Sequence, residues 1–183
     1  EPGEMYYYCN SGYVLLGLII ERVSGQSYAD FLNSRIFGPL QMENSGYDRN
    51  QGSIVGQAQG YTDAEEQASF LDTSTLYAAG GLYSTIEDLY RWDKALYTDY
   101  LIPETLRREM FTPLHMFYGY GWVIKQRDGR RTISHPGFMT GFSNYISRYP
   151  NDRVTIIVLS NQQSVSSRTI SENLTELIFG SKE

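Results

Sequence analysis

Tyr8 and Asn10 stand two apart on a predicted turn that feeds the apolar run Val14 to Ile20. Two polar side chains at that spacing can point into one cleft, one a hydroxyl and the other an amide able to pair with a peptide-like group. A tyrosine hydroxyl ionises near ~10 and is a poor base at neutral pH unless a cation stabilises the phenolate. No lysine lies near Tyr8 in the sequence, so that cation has to arrive through the fold. The second group is His135-Pro136-Gly137-Phe138, at the end of a predicted strand. Pro136 cannot donate to a sheet ladder, so pairing is expected to stop or meet an edge there. Gly137 permits close backbone approach, and the N–H of Phe138 can then face a bound oxygen. Each group has an ordinary structural alternative: Tyr8 packed in a core with Asn10 satisfying a turn, and His135 as a turn residue before Pro-Gly.

Cys9 opens a rival chemistry, a thiol working with His135. If residues 8–10 are extended, Cys9 turns away from Tyr8 and Asn10 into the packing, where it reads as a small buried thiol. The other histidine, His115, falls in a Thr112-Pro113 loop and is expected to face solvent. Two histidines and one cysteine give no case for a metal site, and no cofactor is expected. Gly119-Tyr120-Gly121 lacks the following helix that a phosphate-cradling loop requires.

The elements that must position these groups can be read from periodicity and punctuation. Residues 11–24 read as a buried helix, capped by Ser11, with Val14, Leu15, Leu18, Ile19 and Val23 near helical spacing and Gly25 at its end. Ser27 and Asp30 resemble a capping box for a helix that stops before Gly38-Pro39. Residues 41–76 have weak periodicity and many polar residues, and a connection this long is expected to be a functional or cleft-bordering loop. Ser84-Thr85-Ile86-Glu87 is a capping box for a helix to about Tyr97, with the apolar members of Ile86, Leu89, Tyr90, Asp93 and Leu96 mostly on one face. Pro103 opens a short helix to Met110.

From Phe117 the period becomes two, predicting a strand, an Asp128-Gly129 hairpin turn and a partner strand from Arg131 to His135. A second hairpin, Phe142–Tyr149 and Arg153–Ser160, turns at Pro150-Asn151-Asp152. A last helix over 165–179 is predicted to face inward with Ile170, Leu174, Leu177 and Ile178. Tyr118 and Tyr120 suit either a cleft wall or sheet packing. The order of helices first, then an antiparallel meander with a terminal helix packed on it, is an α+β layout. Residues 1–115 form its mainly helical part and 116–183 its sheet and final helix.

Composition narrows the function. The chain has 183 residues and a net charge of −6 with no basic cluster, which argues against a nucleic-acid surface. Its longest apolar run has seven residues, too few to span a bilayer. No charged-then-apolar leader opens the sequence, so an export signal is expected to lie outside it or to have been removed. Sixteen tyrosines suit cleft walls and half-buried sheet faces.

Taken in order, Pro2-Gly3-Glu4, Tyr8-Cys9-Asn10-Ser11-Gly12-Tyr13, Phe37-Gly38-Pro39-Leu40, Ala79-Gly80-Gly81-Leu82-Tyr83-Ser84, Tyr120-Gly121-Trp122, His135-Pro136-Gly137 and Gly141-Phe142 resemble the serine β-lactamase-like and penicillin-binding family. That family holds class C β-lactamases, DD-peptidases, esterases and D-amino-acid amidases. The resemblance implies acyl transfer by three elements: a Ser-x-x-Lys helix, a Tyr-x-Asn turn and a Lys/His-x-Gly strand. Tyr8 and Asn10 match the second, and His135 with Gly137 the third. By the same pattern Tyr8 and His135 are catalytic, while Asn10, Gly137 and Phe138 bind substrate, a small molecule or peptide. It also implies a location outside the cytoplasm.

The first element departs from the pattern. No serine here is followed by lysine three residues on. The expectation is therefore a C-terminal portion of one β-lactamase-like domain, inactive alone, with a relic that lacks the nucleophile as the alternative. Such a portion would leave sheet edges and an apolar helix face uncovered, inviting dimerisation or swapping. The non-enzymatic alternative is a penicillin-binding-fold module that binds peptide, cell-wall fragments or a partner protein. Cys9 is a second departure, since serine is common at that place in the resembling sequences.

Overall fold

The computed structural model describes residues 1, 3–49, 54–64 and 66–180; Pro2 of the sequence motif and Asn50, Gln51 and Gly52 of the predicted 41–76 connection lie outside them. Two compact units emerge, each assembled from separate stretches of chain. A helical unit takes Tyr7–Gln57 and Phe70–Leu101, and a sheet unit takes Glu1–Tyr6, Ala58–Ser69 and Ile102–Glu183.

In the helical unit, α1 spans Asn10–Ser24. It starts one residue earlier than expected, because Cys9 is the extended residue before it and Ser11 lies inside the first turn. Gly25 closes the helix at φ 69°, donating its N–H to the Glu21 carbonyl, a left-handed conformation that glycine adopts without a Cβ penalty. Only Gly17 is buried along α1. A Cβ there would stand 2.5 Å from the Tyr77 ring and 2.6 Å from Ala78 Cβ, so the bare glycine lets residues 77–78 lie against the helix. The expected burial of α1 does not hold: Leu15, Leu18, Ile19 and Val23 are exposed, Val23 at 82%. The unit meets α1 along the Gly17 and Ile20 side, and the rest of the apolar stripe lies beyond that contact.

Helix α2, Tyr28–Leu32, is capped as predicted, with Ser27 Oγ accepting from Asp30 N–H, and winds into a π-turn over Asn33–Phe37 before Gly38. Tyr28, Leu32, Phe37 and Met42 form the unit's core, with Ile20, Tyr47, Tyr77 and Trp92 packed around them. The connection after Met42 is pinned where β1, Gly46–Tyr47, pairs antiparallel with β2, Leu82–Tyr83.

Helix α3, Ile86–Ala95, begins one residue later than predicted, with Thr85 as cap accepting from Asp88 N–H. Its inward groups are only partly those expected: Leu96 and Asp93 are buried and Leu89 half-buried. Ile86 and Tyr90 are exposed, whereas Asp88 is fully buried. The reason is polar: Asp88 accepts from Asn44 N–H at 2.8 Å, Ser45 Oγ at 2.9 Å and Arg91 at 2.5 Å. A buried carboxylate so surrounded satisfies loop donors that would otherwise be stranded.

In the sheet unit, α4 runs Glu104–Met110 behind Pro103. Residues 117–122 do not form the strand their alternation suggested. Met116 and Gly121 take positive φ (49° and 77°), and a Cβ on Gly119 would stand 2.5 Å from the Met110 carbonyl oxygen. The glycines are spent on turns and close approach, so the ladder waits until β3, Val123–Arg127. Strands β4 (Arg130–Met139), β5 (Phe142–Tyr149) and β6 (Val154–Ser160) follow, in the antiparallel order β3-β4-β5-β6. Asp128 and Gly129, at φ 52° and 77°, make the predicted two-residue turn.

Helix α5, Ser167–Phe179, covers one sheet face, as expected, but not with the residues expected. Ser167, Ser171 and Thr175 are buried, while Ile170, Leu174, Leu177 and Ile178 point away. Hydroxyl pairs seat the helix: Ser143 to Ser167 at 2.9 Å, Ser147 to Ser171 at 2.8 Å and Tyr149 to Thr175 at 2.8 Å. Among the side chains buried elsewhere in this unit, the Arg148 guanidinium lies 5.1 Å from the Phe111 ring and 6.0 Å from that of Trp122. The α+β layout with an antiparallel meander and terminal helix is as predicted.

Candidate active site

His135, Gly137 and Phe138 lie along one strand, β4. Contrary to expectation the strand does not end at His135. Its ladder with β5 runs through Pro136↔Tyr145 and Gly137↔Asn144 to Met139↔Phe142. What stops is the ladder with β3, whose last pair is Val123↔Ser134. From His135 to Met139 the β4 edge therefore extends past β3. Proline is tolerated in a ladder where its nitrogen faces such an edge. Backbone groups two residues apart face the same side of a strand, which turns the Phe138 N–H toward that edge too.

Gly137 takes no positive φ, and a Cβ there would meet Asn144 Cβ at an ordinary 3.4 Å. Neither backbone strain nor crowding in the unit calls for glycine at this position. The Phe138 side chain is 69% exposed.

The His135 imidazole is half-buried. Its Nδ1 is 2.6 Å from the Pro136 carbonyl oxygen, and its Nε2 is 3.0 Å from the Tyr118 hydroxyl. Burial pushes the imidazole below its usual pKa, and the Pro136 carbonyl bond partly opposes that shift. The Tyr118 ring meets the imidazole edge-on, with centroids 6.1 Å apart. The partnership went unseen in the sequence, where Tyr118 was one of several alternating tyrosines. Tyr6 packs on Tyr118 and Phe117 with ring centroids 5.0 and 6.3 Å away. His115 is not solvent-facing as predicted. Its Nε2 is 3.1 Å from the Glu4 carbonyl oxygen, and its Nδ1 is buried.

Tyr8, Cys9 and Asn10 are gathered at the start of α1 in the helical unit, Tyr8 and Cys9 just before it and Asn10 as its first residue. All three are exposed, Tyr8 at 57%. Tyr8 is thus no core residue, and Cys9 is not the buried thiol the sequence suggested. The cause is the helix start: Cys9 is extended at φ −144°, but the chain turns into α1 immediately, so it has no strand partner to pack against. Among the described residues no group of three or more His, Cys, Asp or Glu side chains gathers as a metal site would require. No helix among them is long and apolar enough to cross a membrane.

Comparison with known proteins bears on the whole chain. The beta-lactamase family model matches residues 1–177. Penicillin-binding protein 4* of Bacillus subtilis is 35% identical over 185 residues, covering 89% of this chain and 41% of that protein. The D-aminopeptidase of Gluconobacter oxydans is 23% identical over 174 residues, covering 91% of this chain and 33% of that protein. Among solved structures, the octameric penicillin-binding protein homologue from Pyrococcus abyssi superposes with a TM-score of 0.85 at 29% identity, covering 100% of this chain and 44% of that one. The chain spans less than half the length of these relatives. On the match over residues 1–177, it belongs to the beta-lactamase family, as its ordered sequence motifs led us to expect.

Proposed function

We propose that this chain is part of a serine hydrolase acting through an acyl-enzyme on amide, ester or β-lactam-type substrates. The observation that carries the reading is the β4 edge at His135-Pro136-Gly137-Phe138, which extends past the end of β3. An extended substrate can lie along such an edge, and the Phe138 N–H is a donor for the oxygen that becomes negative during acyl transfer.

The proposed steps use residues in the family's roles. A serine supplied by a Ser-x-x-Lys element attacks the substrate carbonyl carbon. With the lysine of that element beside it, the Tyr8 oxygen accepts the serine proton. The same proton passes to the departing nitrogen or oxygen as the carbonyl re-forms, leaving a Ser ester. Water then cleaves the ester by the reverse proton route. Asn10 orients the substrate amide, and Gly137 leaves room for the substrate backbone beside β4. His135 stands where a lysine is the family's other choice, which favours an esterase or peptidase-like member over a dedicated β-lactamase.

The 183 residues hold no Ser-x-x-Lys, so we propose that they do not turn over substrate by themselves. The test is the full-length product of the reading frame, offered a chromogenic ester and a fluorescent penicillin and then weighed by mass spectrometry. Turnover with a serine-linked adduct supports the hydrolase. Binding without turnover or adduct supports the peptide-binding module instead.

A further inference from the structure

We propose that Tyr118 is a positioning residue that holds the His135 ring through its Nε2 lone pair, while the Pro136 carbonyl keeps the proton on Nδ1. The inference rests on the reading of His135 as a site residue. It starts from the chemistry of the Pro136 carbonyl, which can only accept a hydrogen bond. With Nδ1 at 2.6 Å from that oxygen, the proton belongs on Nδ1. A neutral imidazole then has a lone pair on Nε2 and needs a donor there. The Tyr118 hydroxyl, 3.0 Å away, supplies it.

Tyr118 is itself held in place. Its N–H donates to the His115 carbonyl at 3.0 Å, and its own carbonyl accepts from Leu114 N–H at 2.9 Å. It bridges Val123 at the start of β3, and its ring packs on Tyr6. The neighbouring Phe117 carbonyl accepts from Ile124 N–H at 2.7 Å. These main-chain bonds and the ring contact with Tyr6 hold the Tyr118 frame beside His135.

This also gives a use to the Tyr118-Gly119-Tyr120-Gly121-Trp122 stretch, which does not run as a strand. Its turns bring Tyr118 from outside the sheet onto a residue of β4 seventeen positions later. The consequence for the site is that His135 offers a neutral, directionally fixed ring to the cleft wall and no charge at neutral pH.

The test reads the tautomer directly. In 15N-labelled full-length protein, the His135 ring signals, assigned by their loss in His135→Gln, should show a protonated-type Nδ1 and an unprotonated-type Nε2. Tyr118→Phe keeps the ring that packs on Tyr6 and removes only the hydroxyl. In that variant the Nε2 signal should shift as its lone pair loses the hydroxyl donor, while Nδ1 stays protonated and circular dichroism stays unchanged. The variant should also lose roughly tenfold in kcat/KM, the size of one modest hydrogen bond, while still forming a serine adduct. An Nε2–H tautomer in the unmodified protein, or His135 signals unmoved in Tyr118→Phe, overturns the proposal. A full-length protein with the predicted tautomer but no turnover and no adduct would sink the hydrolase reading instead.

Discussion

Helices α1 and α5 look alike in sequence, each with apolar residues recurring at helical spacing, and they are held by opposite means. In α5 the anchoring face is a row of hydroxyls, Ser167, Ser171 and Thr175, each within 3 Å of a hydroxyl on β5. In α1 the contact centres on Gly17, against Tyr77 and Ala78. Small side chains let backbone and ring approach closely, and the apolar stripe of each helix then points elsewhere. Period tells which residues share a helix face. It does not tell which face the neighbour chooses when small residues offer a closer fit.

The comparison can be broken at either anchor. Gly17→Val should cost about 3 kcal/mol, the upper range for overpacking, because the new methyls meet the Tyr77 ring and Ala78 at once. Chemical denaturation should show the loss. A change under 0.5 kcal/mol would mean that α1 is not seated on its glycine. At the other anchor, Ser171→Val should cost about 2 kcal/mol by removing the bond to Ser147 and wedging bulk under α5, and Ser171→Ala about 1 kcal/mol. If valine proved stabilising, the hydroxyl row would be incidental to an apolar contact.

A smaller effect tests the polar setting of His135. Its folded pKa lies below the ordinary value near ~6.5, so folding favours the neutral ring. That contribution is fully present above the unfolded pKa and is lost as pH falls through the folded one. Stability should therefore decline on acidification below about 6.5 more steeply than in His135→Gln, as urea midpoints across that range would show. Parallel pH profiles for the two proteins would remove burial as the dominant influence on the ring.

Much of the fold was legible because local chemistry dictated it. Gly25 ends α1, Ser27 caps α2, Pro103 opens α4 and Asp128-Gly129 turns the first hairpin, each through a conformation or cap set within a few residues. What escaped depended on distant partners. Asp88 is buried by donors more than forty residues earlier, at Asn44 and Ser45. Residues 117–122 alternate like a strand, yet their glycines serve turns and the close approach to Met110.

The site divides the same way. Tyr8-x-Asn10 and His135-x-Gly137 were visible as motifs, since residue type and spacing carry them. The Tyr118 hydroxyl on His135 was not visible, because the two rings meet only after the irregular stretch has folded. Of the two alternatives read at Pro136, a stop in pairing or an edge, the edge holds, because a proline facing an edge does not interrupt the ladder on its other side.

We propose Tyr8 as the base of a serine acyl transfer. It is tested most directly by the rate at which the full-length protein forms a serine-linked adduct with a fluorescent penicillin or an ester, compared with Tyr8→Phe. An adduct of defined mass is expected in the unmodified protein, with a rate lower by about 10²–10⁴-fold in the variant, the range for losing a general base. An unmodified protein that never acquires the adduct would overturn the serine-hydrolase reading, and a Tyr8→Phe protein that acquires it at the same rate would remove Tyr8 as the base.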